Sequence, residues 1–117
     1  MLTIKISEVA PSVNHVYKYR TFGGHIQSYL SKEGREFKER IGRNVPSDHI
    51  PYSGNVSVKI ILTFPDNRRR DIDNFNKIVL DGLSGLAFKD DSQIIQLFIY
   101  KRVIKGKKEI RVQIKEI

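Results

Sequence analysis

Three arginines run directly into two carboxylates at Arg68-Arg69-Arg70-Asp71-Ile72-Asp73-Asn74, and Lys77 follows closely. Guanidinium groups bind phosphate oxygens as planar forks. Two aspartates separated by one residue can converge on a hard cation through oxygen. Positions i and i+2 share a face in extended chain but diverge on a helix, so Asp71 must lie in extended chain just before a helix begins. Downstream, Asp90-Asp91 supplies a candidate third carboxylate, with Asp90 and Asp91 both eligible. Carboxylates and waters suit Mg2+, with Mn2+ as a substitute, and a cation so held can activate a water for attack on a phosphodiester. Arg68, Arg69 and Arg70 are then placed to grip flanking phosphates. Lys77 would orient the water or neutralise the charge that develops at phosphorus.

Helix capping explains part of this pattern without any chemistry. Asp73 or Asn74 would cap the following helix, Asp71 and Asp73 would complement its dipole, and Lys77 would pair with Asp73 four residues back. Capping does not explain the arginines, because three cations approaching the positive end of a helix oppose its dipole unless an anion compensates.

The elements that must position these residues follow from periodicity. Leu2, Ile4 and Ile6 alternate as a half-buried strand, and Val56, Val58, Ile60, Leu62 and Phe64 alternate as a central one, with Ile61 indicating partial cover on its second face. Val13 to Leu30 reads as a loose hairpin about Gly23-Gly24, its tyrosines mixed with Lys18, Arg20 and His25 in a way that suits base stacking, phosphate contact or simple cover of the core edge. Ser31 caps a helix over Lys32 to Asn44, and a second helix runs from Asp73 or Asn74 to Leu83. Strands over Gln93 to Ile104 and around Ile110, Val112 and Ile114 complete the chain, joined by a turn at Lys105-Gly106-Lys107. The predicted fold class is α+β: one domain spanning residues 1–117, with a mixed sheet of four to five strands and two main helices.

At 117 residues the chain can bury roughly two thirds of its unfolded surface in one core. Its 21 Lys and Arg against 13 Asp and Glu leave a net charge of +8, which points to a polyanionic partner, nucleic acid first. There is no cysteine, which excludes disulfides and thiolate metal sites and suits a reducing cytoplasm; His15, His25 and His49 lack the paired spacing of a zinc site. No segment approaches the roughly 20 apolar residues that span a bilayer, so a soluble, cytoplasmic protein is expected.

The Arg68 to Asn74 stretch with Lys77, followed by Lys89-Asp90-Asp91-Ser92-Gln93, resembles the RusA family of Holliday junction resolvases. Pro11, Asn14 and Tyr17 resemble that family's N-terminal Pro-x-x-Asn stretch, and Ser31, Gly34 and Phe37 resemble the start of its first helix, so the likeness covers nearly the whole chain. The interval between the two acidic clusters is one residue shorter here, in the turn between Gly82 and Phe88, which keeps Asp90 as an alternate to Asp91. The resemblance implies a homodimeric, Mg2+-dependent endonuclease that places paired symmetric nicks in a four-way DNA junction. It further implies that Asp71, Asp73 and Asp91 are the catalytic and metal-binding carboxylates and that Lys77 is functionally important; Asn14 and Tyr17 stand with the three arginines as candidate DNA contacts. Two other readings stand beside it: a non-catalytic basic DNA-binding protein, and a nuclease acting on other branched DNA or structured RNA. The apolar C-terminal strands are one candidate dimer surface, and burial within the monomer is the other use for them.

Overall fold

Alternating apolar residues build the sheet and leave the functional loop at one end of it. The computed structural model describes all 117 residues. In chain order the elements are β1 (Leu2–Ile6), a short α1 (Val13–Val16), β2 (Tyr17–Phe22), β3 (His25–Leu30), α2 (Lys32–Gly42), β4 (Val56–Phe64), a 3-10 turn (Ile72–Asn74), α3 (Asn76–Leu83), a second 3-10 turn (Asp91–Gln93), β5 (Ile94–Val103) and β6 (Glu109–Glu116). Four strands form one sheet in the order β1-β6-β4-β5, while β2 and β3 pair only with each other. β4 runs parallel to β5 and antiparallel to β6, so the sheet is mixed and the class is α+β, as predicted.

One face of the sheet carries the core. Leu2, Ile4 and Ile6 from β1, Ile110, Val112 and Ile114 from β6, and the even-numbered apolar residues of β4 pack with Phe37 and Ile41 of α2 and with Ile78, Val79 and Leu83 of α3. The two helices approach each other closely because Gly82 presents no side chain: a Cβ there would collide with Ile41 Cγ2. Gly34 does the same for α1, since its Cβ would stand 2.9 Å from Val16 Cβ.

Several boundaries differ from the periodic reading, among them that of β5, which runs Ile94–Val103 and not Gln93 to Ile104. The hairpin strands begin at Tyr17 and not at Val13, because residues 13–16 coil into α1. α2 stops at Gly42. α3 begins at Asn76, and its N-cap position is Phe75, with no side-chain cap from Asp73 or Asn74. The cause is apolar: the buried Phe75 ring lies 5.2 Å from that of Phe64, which draws the backbone into a tight 3-10 turn before the helix. β6 lies between β1 and β4 with its apolar residues buried, so burial within the monomer holds for that strand, whereas β5 leaves Ile95, Leu97, Phe98 and Tyr100 exposed. The free edge of the sheet on that side belongs to β5.

Candidate active site

β4 ends at Phe64, and the segment after it is tied down by Arg70. Its guanidinium carbon sits 4.3 Å from the Phe64 ring centroid, Nη2 pairs with Asp66 at 3.0 Å, and Nη1 donates to the Asp66 carbonyl at 3.2 Å. Lys101 of β5 completes the clamp by donating to the Arg70 carbonyl at 2.6 Å. Only 14% of the Arg70 side chain is exposed, so this arginine positions the loop. Arg68 and Arg69 are exposed and face solvent, Arg68 making only a long 3.8 Å approach to Asp66. Hydrogen bonds from the Arg68 amide and the Arg70 guanidinium, with the charges of both arginines, hold the Asp66 carboxyl below its usual range; the Arg68 amide is the largest cause.

That clamp holds Asp71 in extended backbone, φ −82° and ψ 128°, at the entrance to the 3-10 turn that carries Asp73. Both carboxylates are exposed and border one open depression together with Ile99, Tyr100 and Lys101. The neighbouring arginines pair with Asp66 and leave Asp71 and Asp73 without an ion pair. Asn14 and Asn74 line an adjoining crevice with Arg69 and Asp71, which brings the N-terminal asparagine to the same place.

Lys77 pairs with Asp81, at 3.1 Å, and not with Asp73 as capping logic suggested. The interrupted helix start explains this, since Asp73 belongs to the 3-10 turn and only Asp81 lies one α-helical turn from Lys77. Tyr17 donates its hydroxyl to the same Asp81 oxygen, and the Lys77 ammonium lies 4.1 Å from the Tyr17 ring centroid. Burial, the bond to Asp81 and the charges of Asp81 and Asp91 push the Tyr17 pKa up, so the phenol stays a donor. Asp91 belongs to this group as well. Partial desolvation and the charges of Asp81 and Asp90 raise its pKa, while Lys77 and a hydrogen bond with Ser84 act against the rise.

Asp90 has a different occupation. Its carboxylate accepts from the Ser92 amide at 2.9 Å and its own amide donates to Gln93 Oε1 at 2.7 Å, a reciprocal cap of the second 3-10 turn. The Gln93 side-chain amide in turn donates to the carbonyls of Tyr52 and Gly54. Hydrogen bonds from Ser92 lower the Asp90 pKa.

The candidate residues thus fall into two separate groups: Asp71 and Asp73 on the rim of the depression, and Asp81, Asp91 and Lys77 around Tyr17. No three acidic or histidine side chains gather within the chain as a ready cage for one ion. Mg2+ usually takes only one or two protein carboxylates and completes its shell with water and substrate phosphate, so the exposed, unpaired Asp71 and Asp73 fit such an ion. Asp81 escaped the sequence reading, although its spacing of four from Lys77 was the available signal.

A family model described as Endodeoxyribonuclease RusA matches residues 8–115. This chain belongs to the RusA endodeoxyribonuclease family. Among relatives of that family, a crossover junction endodeoxyribonuclease RusA from Escherichia coli K12 is 31% identical over 100 residues, covering 82% of this chain and 80% of that protein. The enzyme of the same name from Enterobacteria phage 82 is 32% identical with the same coverage. That of Enterobacteria phage HK97 is 34% identical over 102 residues, covering 84% of this chain and 78% of the phage protein. Nucleases of this RusA type generally require a divalent metal, and no helix of the chain is long and apolar enough to cross a membrane.

Proposed function

We propose that this chain is a Mg2+-dependent endodeoxyribonuclease that resolves Holliday junctions in recombination and repair, acting in the cytoplasm as a homodimer that places paired symmetric nicks. Endonuclease activity accords with membership of the RusA family. The observation that carries the reading is the unpaired Asp71 and Asp73 carboxylates, held on an arginine-bordered rim while Asp66 takes up the arginine charge. A homodimer suits the task, because a four-way junction is approximately two-fold symmetric and paired cuts need two matching sites.

Asp71 and Asp73 would hold the cation, with the scissile phosphate and waters completing its shell. When bound, the ion supplies an activated water and charge relief at the leaving oxygen. The chain's own residues do the rest. Arg68 and Arg69 hold flanking phosphates, Asn14 donates a neutral contact beside Asp71, and Lys77 directs an ammonium at the charge that grows as the water oxygen joins phosphorus and the ester oxygen departs. Asp91 is assigned as the third catalytic carboxylate, a choice over Asp90 supported by the latter's engagement in its cap.

With a four-way junction and Mg2+, wild type should give symmetric paired nicks, and Asp73→Asn should bind the junction without cutting it. Undiminished cutting by that variant overturns the site assignment. Flap, duplex and RNA hairpin substrates at one salt concentration separate junction resolution from a broader nuclease activity.

A further inference from the structure

The four-stranded sheet has a second face on which no helix packs, although Thr63 and Glu109 at one end of it are buried beside Arg102 and Arg111. α2 and α3 pack on the apolar face, so the alternate positions of each strand look the other way. The register sets Lys5 beside Arg111, Lys59 between Gln113 and Phe98, and Ser57 between Lys115 and Gln96. Ser57, Lys59, Gln96, Phe98, Gln113 and Lys115 line one shallow hollow on this face. Arg102 completes the set by donating to Thr63 across β4 and β5 at 2.7 Å.

Charge on this face has one sign. Lys5, Lys59, Arg102, Arg111 and Lys115 are opposed by Glu109 alone, which is buried and spent on Arg102 and Arg111 at 3.4 Å each. The three lysines make no ion pair; Lys59 lies 5.3 Å from the Tyr100 ring centroid. Solvated sheet faces ordinarily intersperse both signs, and a single-sign field is a steering feature. A second copy is a poor occupant, because two such faces would bring like charges into register.

We infer that this open sheet face is a second nucleic-acid contact, carrying the backbone of a duplex arm away from the scissile phosphate. Lysine ammonium groups flanked by Gln96 and Gln113 suit phosphate and sugar oxygens, and the exposed Phe98 and Tyr100 rings offer apolar contact. Tyr100 joins the two surfaces, since it pairs with Ile61 on β4 and also borders the depression with Asp71 and Asp73. A strand leaving the active-site rim thus passes over β5 onto the basic face. The inference rests on the reading of the substrate as branched DNA.

The test compares Lys5→Gln/Lys59→Gln/Lys115→Gln with a charge-matched control on the opposite side, Lys32→Gln/Lys38→Gln/Arg43→Gln of α2 and its C-cap. Binding of a four-way junction is measured in Ca2+ across a salt series, with thermal melting to verify folding and light scattering to report assembly. The sheet-face variant should lower the slope of log affinity against log salt by about 2 to 3 for each protomer whose sheet face engages an arm, at roughly 0.9 for each phosphate no longer neutralised, and the control should leave it near wild type. Equal slopes for wild type and the sheet-face variant overturn the inference, as does an equal loss in the control. A change of assembly confined to the sheet-face variant also overturns it, by showing that a second copy occupies the face. If wild type binds the junction but does not cut it with Mg2+, the proposed function fails while the slopes still decide the role of the sheet face.

Discussion

The Tyr17 hydroxyl donates to the same Asp81 oxygen that Lys77 grips, joining the residue after α1 to α3 across 64 positions of sequence. The ammonium is therefore fixed from below by a carboxylate and from the side by an aromatic face. A free lysine would sample many rotamers. Held in this way, Lys77 presents its charge from a defined point on the helix that begins just after Asp73. Asp81→Asn removes the charge that holds it, and junction cleavage should fall roughly ten- to a hundredfold, the scale of a misplacement of about 1 Å. Asp81→Glu should recover part of the rate. Steady-state cleavage should place the loss in kcat; a loss carried by KM alone would assign Asp81 to binding.

Lys77→Ala tests the ammonium directly. If it acts on charge developing at phosphorus, turnover should fall about a hundredfold or more, in line with the removal of one preorganised electrostatic partner. Junction affinity in Ca2+ should fall much less. Equal losses in rate and affinity would mean that Lys77 only holds a phosphate in the ground state.

The raised pKa of Asp91 makes a stability prediction with a definite sign. Its folded-state value lies above the ordinary carboxylate value, so the folded chain holds that proton more tightly than the unfolded chain does. Ionising Asp91 therefore subtracts stability; the cost is absent well below about pH 4 and complete once pH exceeds the raised value. Asp91→Asn should melt at a higher temperature than wild type near neutral pH while losing cleavage activity. The gain should vanish near pH 3, below the ordinary carboxylate value of about 3.9. A variant less stable than wild type at neutral pH would show that Lys77 and Ser84 outweigh the desolvation.

Much of this geometry was legible in the residues because it depends on short-range rules. The strand Val56–Phe64 stands where its alternation placed it, and Asp71 is in extended chain before a helix, as convergence with Asp73 required. What escaped the reading depends on packing between distant segments. Phe75 shifts the start of α3 because it has Phe64 to pack on, and that shift moves Lys77 from Asp73 to Asp81. Arg70 looks like its two neighbours in sequence, yet a ring beneath it and Asp66 beside it make it a structural residue. Tyr17 read as an aromatic available to DNA, and only the fold brings it to Asp81.

Gly82 gives the sharpest test of how packing sets the site, because α3 carries both Lys77 and Asp81. Taken alone, Gly82→Ala should favour the helix by about 1 kcal/mol. Sterics work against it: the new Cβ collides with Ile41 Cγ2 and stands 3.4 Å from the Lys38 backbone. Ile41 is fully buried and cannot swing aside, so overpacking of about 1–3 kcal/mol should win and lower the melting temperature. Moving α3 off α2 should also lower cleavage, although residue 82 lies outside the group around Tyr17. Ile41→Leu removes the β-branch that obstructs the new methyl, so the double variant should be more stable than the sum of the single changes by about 0.5–2 kcal/mol. Denaturant melts of the four proteins in this cycle measure the coupling, and simple additivity would mean that the two helices separate without strain where Gly82 meets Ile41.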